Sequence, residues 1–401
     1  MNFLRPSALR RNGCCLRLFI YCVCCLSLFL IVYIMLKNRL QVIDKSFVQL
    51  DKCPACFGKW ESVCQAISFE KLKVWGNYFW KSESLKGVWY GKWNELAVVL
   101  KQLGHINELA MLDQEICLNA SVPVSKHCDV GEKVLRSFLN PAMSFKSALM
   151  QFMECPTMQF VKIIESNLKN ENDVVRLDQK IMAMTNLHFN QEFLFLQVFS
   201  ERYSNFLPAV YGACGRVIVV ENVGPTLSSV LSWSWQERVK VSIKLIQLAR
   251  QFTRTEDNMA LYMYDVAMDN YAVDRHGNVK LIDCEHVLVV DMKAFNRSYS
   301  TKSEDLCTVD RFQCLTFVPE DLCKGQAQDH NYYAICRNLL AAVGNSRGLL
   351  HSPEDKNSQS RLKYLLDNCV YSKEMSREHA VEILEKQLLR YVTYDKGDRN
   401  T

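Results

Sequence analysis

The segment "DVAMDNYAVDRHGNVKLIDCEHV", residues 265–287, predicts a β-hairpin with polar side chains around it. It places Asp265, Asn270 and Asp283 around the strand-like segments "YAVD" and "VKLID", which flank the turn "RHGN". Because the turn brings the two segments together, we expect the three polar side chains to meet at one end of a hairpin. Their carboxylate and amide oxygens predict a site for a divalent cation beside phosphate groups.

Phosphoryl transfer needs this combination of side chains. One carboxylate, here Asp265, orients or deprotonates the attacking hydroxyl, while Asn270 and Asp283 supply oxygens that hold metal against the phosphates. The pattern D-x-x-x-x-N, with an aspartate after a later strand, matches the catalytic loop and the metal-binding aspartate of protein kinases. A structural hairpin with scattered acids is one alternative. A calcium loop is another, although valine stands where such loops need glycine; its candidate ligands are Asp274, His276, Asn278 and Glu285.

The same pattern predicts a lysine on an upstream strand and a glutamate on a helix that positions it. The segment "AVVLK" supplies Lys101, which would neutralise the nucleotide phosphates. Two glutamates compete as its partner, Glu108 in "NELAMLDQEIC" and Glu192 in "NQEFLFLQVF". Glu192 is preferred because its segment immediately precedes the expected fourth strand. Glu221 and Val223, in "VIVVENVG", are the further candidates for contact with the nucleotide.

The rest of the chain alternates between strand and helix patterns. "KGVWYGKW" and "LAVVLK" predict strands, and two short apolar runs flank a glycine-containing turn in "LPAVYGACGRVIVVENVG". Residues 118–200 show helical spacing. The segment "SWQERVKVSIKLIQLARQFTR" predicts an amphipathic helix, and "DHNYYAICRNLLAAVG" with two further helices completes the chain. The apolar face of the amphipathic helix consists of Val239, Ile243, Ile246 and Ala249.

The amino-acid composition indicates which classes of protein are compatible with this chain. The 401 residues are 49% hydrophobic and 23% charged, which is typical of a globular chain. The formal net charge is only +5, and no basic stripe is interleaved with aromatic residues. We therefore expect no nucleic-acid partner.

The N-terminus predicts a membrane anchor. Residues 18–36 carry no charge, and 19 residues are long enough to cross a bilayer core of roughly 30 Å. More arginines precede this segment than basic residues follow it, so residues 1–17 are expected in the cytosol and the remainder in the lumen. The expected partner of this segment is the membrane, with a single-pass type II arrangement. A cleaved signal peptide is the alternative.

Cysteine usage agrees with an oxidising compartment. Of 18 cysteines, five lie before or within the predicted span, which leaves 18 − 5 = 13 beyond it. Twelve of these are expected in disulfides, with Cys284 unpaired because it lies inside the candidate site. Residues 37–66 are predicted to form a lumenal stem that ends in "CPACFGKWESVC". Disulfides are favoured there over zinc, since no second matched pair or histidine pair accompanies it. Asn119 and Asn296 lie in N-glycosylation sequons.

These motifs resemble the divergent protein kinase domain 2 family, the "deleted in autism" proteins of the secretory pathway. The resemblance rests on "FVQLDKCPACFG", "VVLKQLG", "ELAMLDQ", "YGACGR", "DVAMDNYAV", "DHNYYAICRNLL" and "GLLHSP", which span residues 47–353. It implies an α+β, protein-kinase-like fold of two lobes, stapled by disulfides. The β-rich N-lobe is expected over residues 67–222, with a helical insertion at about 118–185, and the helical C-lobe over 223–401. Golgi or ER residence, or secretion, is implied as well.

The resemblance also assigns roles to single residues. Asp265 corresponds to the catalytic-loop aspartate, Asn270 and Asp283 to the metal ligands, and Lys101 to the nucleotide lysine. Asp329 resembles the kinase aspartate that supports the catalytic loop from below. The implied cofactors are ATP with Mg²⁺ or Mn²⁺, and the implied acceptor is a lumenal or secreted protein or a glycan.

Several positions depart from the kinase pattern. Met263 and Tyr264 replace the usual His and Arg, Ala267 replaces a lysine that contacts the γ-phosphate, and "DCE" replaces D-F-G. No G-x-G-x-x-G precedes the second strand, where "KSESLKG" is the only substitute. Two functions therefore stay open. The first is a phosphotransferase, which includes small-molecule kinases of the choline and aminoglycoside type. The second is a pseudokinase that serves as a secreted or Golgi-resident binding protein.

Overall fold

The computed structural model of the protein describes most of the chain beyond the N-terminus. The main described ranges are 21–29, 40–53, 56–58, 63–75, 87–119, 145–153, 157–169, 190–294, 319–341, 347–353 and 356–397, with short pieces between 129 and 184. Residues 21–29 are helical, and no helix in the described ranges has the length and hydropathy needed to cross a membrane. The other residues of the predicted anchor, and the tail 1–17, lie outside these ranges, so the anchor stays a prediction.

The described strands of the N-terminal part form a seven-stranded antiparallel sheet. Its strands in spatial order are β1 (Leu40–Val42), β3 (Leu72–Trp75), β4 (Val88–Trp93), β5 (Leu96–Gln102), β7 (Val217–Glu221), β6 (Val210–Cys214) and β2 (Cys56–Gly58). The strands predicted in "KGVWYGKW" and "LAVVLK" are β4 and β5. In β3 every second side chain is buried, as expected for a strand with one face on a core.

The N-terminal segment covers one face of this sheet. Ile43, Val48 and helix α1 (Val63–Ser68) pack with buried side chains of β3, β5 and β7 in one apolar cluster. At the β6–β7 turn, Arg216 donates its backbone N–H to the carbonyl of Val48 at 2.8 Å. Gly215 has a φ of +58° there, and a Cβ on it would collide with the same carbonyl. The described residues of the expected stem, 37–66, therefore belong to the N-lobe, because its sheet needs them as strands and as an apolar cover.

A helical insertion separates β5 from β6. The described helices between these strands are α2 (Ile106–Asn119) before the predicted insertion, α3 (Phe145–Phe152) and α4 (Met158–Leu168) within it, and α5 (Glu192–Phe199) after it. The rings of Phe160 in α4 and Phe199 in α5 stack with centroids 5.8 Å apart. The insertion therefore packs into the main core instead of forming a separate unit.

The C-terminal part is mainly helical. It contains α6 (Leu227–Val230), α7 (Trp235–Thr253), β8 (Met259–Met263), β9 (Tyr271–Val273), β10 (Val279–Leu281), β11 (Val287–Asp291), α8 (Pro319–Cys323), α9 (His330–Ile335), α10 (Lys356–Tyr371) and α11 (Arg377–Gly397). β9 pairs with β10, and β8 pairs with β11, both antiparallel. Helix α7 begins at a capping box in which Ser234 and Glu237 bond reciprocally. All four residues of its predicted apolar face are buried.

Disulfides staple the fold, as the sequence predicts. Cys155 of the insertion bonds to Cys323 of α8, and Cys336 bonds to Cys369 of α10. Cys284 carries a buried free thiol. The sulfurs of Cys56, Cys64 and Cys214 lie together at the edge of the sheet.

Replacing Leu100 with alanine should destabilise the N-lobe, because its side chain is fully buried between the sheet and the N-terminal segment. We expect the free energy of unfolding to fall by about 2–5 kcal/mol in urea titrations. Leu96→Ala is the matched control on the same strand, since Leu96 is 46% exposed. Equal effects of the two substitutions would contradict this packing.

Candidate active site

A cleft of about 1070 Å³ lies between the N-lobe sheet and the loop that follows β8. All the side chains that the sequence singled out as site residues line it. They are Lys101, Glu108, Glu192, Glu221, Val223, Asp265, Asn270 and Asp283. The hairpin geometry expected from residues 265–287 is therefore present, and the predicted residues come from both lobes.

The turn between β9 and β10 is built by one aspartate. The carboxylate of Asp274 accepts the backbone N–H groups of His276 and Asn278, each at 2.8 Å, and the amide of Asn278 at 3.0 Å. Gly277 adopts a φ of +79°, which closes the turn. Because its own turn occupies Asp274, the calcium-loop alternative loses its first ligand.

Asn270 connects Asp265, the predicted catalytic-loop aspartate, to the segment that follows β10 and carries Asp283. Its side-chain NH₂ donates to both the carbonyl and a carboxylate oxygen of Asp265 at 3.1 Å. Its backbone carbonyl accepts the N–H of Ile282 at 2.8 Å. Since the NH₂ is turned toward Asp265, the amide oxygen of Asn270 points away from that carboxylate. The backbone bond therefore fixes Asn270 beside Ile282, the residue that precedes Asp283.

Lys101 of β5 forms hydrogen bonds with groups from both lobes. Its ammonium donates to a carboxylate oxygen of Glu192 at 2.7 Å and to the carbonyl of Ile282 at 2.7 Å. Asp283 lies 4.0 Å away, and the same oxygen of Glu192 also accepts the N–H of Cys284 at 3.2 Å. The side chains of Lys101 and Glu192 are only 13% and 3% exposed. A partly buried lysine is therefore fixed between helix α5 and the segment after β10 that carries Asp283.

Glu192, and not Glu108, is the partner of Lys101. The carboxylate of Glu108 instead accepts the backbone N–H of His105 at 2.7 Å, which caps the first turn of α2. Helix α2 directly follows β5 in sequence, yet α5 supplies the glutamate in space. The intervening insertion explains why sequence distance alone left both candidates open.

Burial and charge together set the protonation of this cluster. Burial opposes the charge of Lys101, but the carboxylates of Glu192 and Asp283 outweigh it and raise the pKa of Lys101 above its ordinary value. Burial raises the pKa of Glu192 to about 7, against the opposing effect of Lys101. Burial also raises the pKa of Cys284 well above its usual range, so this thiol stays neutral.

The predicted nucleotide residues lie at the end of β7. The carboxylate of Glu221 accepts the N–H of Ala209 at 3.0 Å and the ammonium of Lys280 at 2.8 Å. Lys280 is only 7% exposed, so this ion pair joins the N-lobe strand to β10 inside the protein. Val223 is buried in the same wall of the cleft. Sequence reasoning missed Lys280, although a lysine within the apolar run "VKLI" was the available signal.

Support for the catalytic loop differs from the prediction. Asp329 does not hydrogen-bond to the loop in the described structure; both of its oxygens accept from the guanidinium of Arg377, at 3.1 and 3.2 Å. The next two residues hold the loop instead. Asn331 accepts the N–H of Met263 at 2.9 Å, and the ring Nε2 of His330 lies 3.0 Å from the carbonyl of Met263. Burial lowers the pKa of His330 to about 4, so its ring is neutral and Nε2–H donates.

The departures from the kinase pattern have local consequences. Tyr264 packs edge-on against His286, with ring centroids 5.4 Å apart, and Ala267 lines the cleft. Of the segment "KSESLKG", only Gly87 is described, and it also lines the cleft. Residues 76–86 lie outside the described structure.

Comparison with known proteins agrees with this architecture. The protein-kinase domain of FAM69 matches residues 184–372. Human divergent protein kinase domain 2A is 32% identical over 84% of this chain and 85% of its own length. The chain belongs to this family of divergent protein kinases. The mouse 2A protein is 33% identical, over 84% and 85% of the two chains, and mouse divergent protein kinase domain 2B is 20% identical over 79% and 77%. A solved complex of Rv3197 with erythromycin from Mycobacterium tuberculosis is 14% identical to this chain. The similarity covers 63% of this chain and 54% of that one, and its TM-score of 0.30 is too low to indicate a shared fold.

Membership of the family confirms the prediction, made from the motifs, that the chain contains a protein-kinase-like domain. The family match begins at residue 184 and includes Glu192, Asp265, Asn270 and Asp283, while Lys101 lies before it. The divergent kinase domain therefore takes its N-lobe lysine from the part of the chain that precedes the insertion.

Glu192→Gln should change how stability depends on pH. The pKa of Glu192 is about 7 in the folded protein and near 4.5 when unfolded, so the folded state binds the extra proton between these values. The stabilisation is complete below pH 4.5 and is lost as the pH rises toward 7, by about 1.4 kcal/mol per pH unit. The wild type should therefore lose stability relative to the glutamine variant across this window in urea titrations. Glu108→Gln is the control, and a wild-type advantage that grows with pH would contradict the assignment.

Asn331→Ala should remove hydrogen bonds that hold the backbone before the catalytic loop and so destabilise the protein. Asn331 is fully buried, and its loss leaves the N–H of Met263 and the carbonyl of Leu261 without their partner. We expect a loss of about 2–4 kcal/mol in unfolding free energy. Asn167→Ala, at an exposed position on α4, should change stability by less than about 0.5 kcal/mol. A small effect at Asn331 would show that the loop is held by other contacts.

Proposed function

We propose that the protein is a phosphotransferase of the secretory pathway, which transfers the γ-phosphoryl group of ATP to a hydroxyl group of a lumenal or secreted protein or glycan. The observation that carries the proposal is the bonding of Asn270. Its NH₂ is committed to Asp265, and its backbone carbonyl accepts the N–H of Ile282, the residue before Asp283. Asn270 and Asp283 both line the cleft, and amide and carboxylate oxygens are the ligands that Mg²⁺ and Mn²⁺ prefer.

Each residue has a role that its contacts support. Lys101 carries the positive charge that would offset nucleotide phosphates, and Glu192 keeps its ammonium in place. The oxygens of Asn270 and Asp283 would hold Mg²⁺ or Mn²⁺, which neutralises developing charge during phosphoryl transfer. Asp265 would orient or deprotonate the acceptor hydroxyl, and its carboxylate is positioned by Asn270. Glu221 and Val223 would contact the nucleotide at the wall of the cleft.

The proposed compartment rests on the N-terminal sequence. The uncharged residues 18–36 with arginines on their amino side favour a type II anchor in Golgi or ER membranes, and secretion is the alternative. The disulfides agree with an oxidising lumen.

A pseudokinase is the second candidate, and one contact favours it. Lys101 already donates to Glu192 and to the carbonyl of Ile282, so part of its hydrogen-bonding capacity is used within the protein. Ala267 also replaces the lysine that contacts the γ-phosphate in ordinary kinases. A protein of this kind would bind partners with the kinase fold and transfer no phosphate.

Phosphoryl transfer is tested with radiolabelled ATP, Mn²⁺ and a lumenal extract as acceptor. Wild-type protein should label acceptors, and Asp265→Asn and Asp283→Asn should each reduce the rate by about 100-fold or more. Asp367→Asn, which changes an exposed acid on α10, is the matched control and should keep full activity. Labelling that survives Asp283→Asn would overturn the assignment.

Nucleotide binding separates the two candidates. Saturating ATP with Mn²⁺ at 100 times the dissociation constant should raise stability by about 2.7 kcal/mol, seen as a higher melting temperature. Lys101→Ala should abolish the shift, whereas Lys363→Ala on the surface should leave it intact. A flat response in the wild-type protein favours the pseudokinase.

A further inference from the structure

Three cysteine sulfurs meet at the edge of the N-lobe sheet, away from the cleft. Cys56 of the edge strand β2 lies opposite Cys214 of β6 in the strand register, with their sulfurs 3.8 Å apart. Cys64 of α1 reaches the same point, and all three sulfurs lie within 4.8 Å of one another. We call Cys56, Cys64 and Cys214 the cysteine trio.

Cys64 has two possible disulfide partners. Its Cα lies 6.0 Å from that of Cys56 and 5.4 Å from that of Cys214. Both separations fall in the range of about 4.4–6.8 Å that disulfides require. All three sulfurs lie within 4.8 Å of one another, yet a sulfur forms only one disulfide bond. A bond from Cys64 to one neighbour therefore leaves the third cysteine without a disulfide inside the trio.

We propose that the cysteine trio is a thiol–disulfide exchange site that reacts with low-molecular-weight disulfides. In the internal step, the Cys214 thiolate attacks the sulfur of Cys64, the Cys64–Cys214 bond forms, and the Cys56–Cys64 bond breaks. Cys56 leaves as the thiolate and takes up the proton that Cys214 released. The step is neutral in electrons and needs no outside oxidant.

Solvent exposure determines which thiol of the cysteine trio can react with a molecule from solution. Cys214 is 1% exposed, whereas Cys56 is only partly buried and belongs to a strand with a free edge in the described sheet. In the outer step, the Cys56 thiolate attacks one sulfur of a small disulfide such as oxidised glutathione. A mixed disulfide forms on Cys56, and one small thiolate leaves.

The two internal bonds constrain the chain differently. A Cys56–Cys64 bond spans 8 residues and closes a local loop, whereas a Cys64–Cys214 bond spans 150 residues and fastens α1 to the sheet. Longer closed loops restrict the unfolded chain more strongly. Exchange within the trio therefore changes how firmly the N-terminal segment is attached to the lobe that carries Lys101.

The test is disulfide mapping of the full-length protein by mass spectrometry. Samples are quenched with acid, alkylated at low pH and digested without reductant. We expect peptides that contain Cys56–Cys64 and peptides that contain Cys64–Cys214, each with the third cysteine alkylated. Incubation with oxidised glutathione should add one glutathione to Cys56.

Two variants keep one bond each and serve as matched controls. Cys56→Ser should fix the Cys64–Cys214 bond, Cys214→Ser should fix the Cys56–Cys64 bond, and neither should take up glutathione at the trio. The disulfide map of the wild-type protein tests the proposal even if a variant fails to fold. A single fixed pair, or a third cysteine bonded elsewhere in the chain, overturns the proposal. Three alkylated thiols with one equivalent of bound zinc overturn it in favour of a metal centre.

Discussion

The salt bridge between Lys101 and Glu192 holds together the parts of this protein on which the rest of the cleft depends. The lysine comes from the central sheet, the glutamate from the first turn of α5, and both contact the segment that carries Asp283. An ion pair buried to this degree is costly to desolvate, and several hydrogen bonds are needed to offset that cost. The carbonyl of Ile282 and the N–H of Cys284 supply them, so the pair is stable only when both lobes are assembled.

The same arrangement links the structure to the proposed function. Ile282 bonds to Lys101 through its carbonyl and to Asn270 through its N–H. One residue therefore positions both Lys101, the proposed phosphate-binding lysine, and Asn270, a proposed metal ligand. Below the loop, Asn331 and His330 hold both backbone groups of Met263, where other kinases are expected to use an aspartate. The catalytic loop is thus supported although the usual His-Arg pair is replaced.

Much of this site could be predicted from the sequence because its residues lie in short local patterns. The spacing of Asp265 and Asn270 and the apolar run before Asp283 fix their positions within one hairpin. Long-range contacts could not be predicted in this way. The bond of Glu221 to Lys280 and the pairing of β2 with β6 join residues 59 and 158 positions apart. No periodicity marks such pairs, and for this reason the sequence predicts a stem over 37–66, where the structure has the sheet strands β1 and β2.

The proposed function requires Asn270 and Asp283 to hold a divalent cation beside nucleotide phosphates. The most direct measurement is a crystal structure of the protein with Mn²⁺ and a non-hydrolysable ATP analogue, recorded at a wavelength where manganese scatters anomalously. We predict an anomalous peak at coordination distance, about 2.0–2.3 Å, from the amide oxygen of Asn270 and a carboxylate oxygen of Asp283. A nucleotide-free cleft under saturating conditions, or a peak at any other set of side chains, would contradict the account.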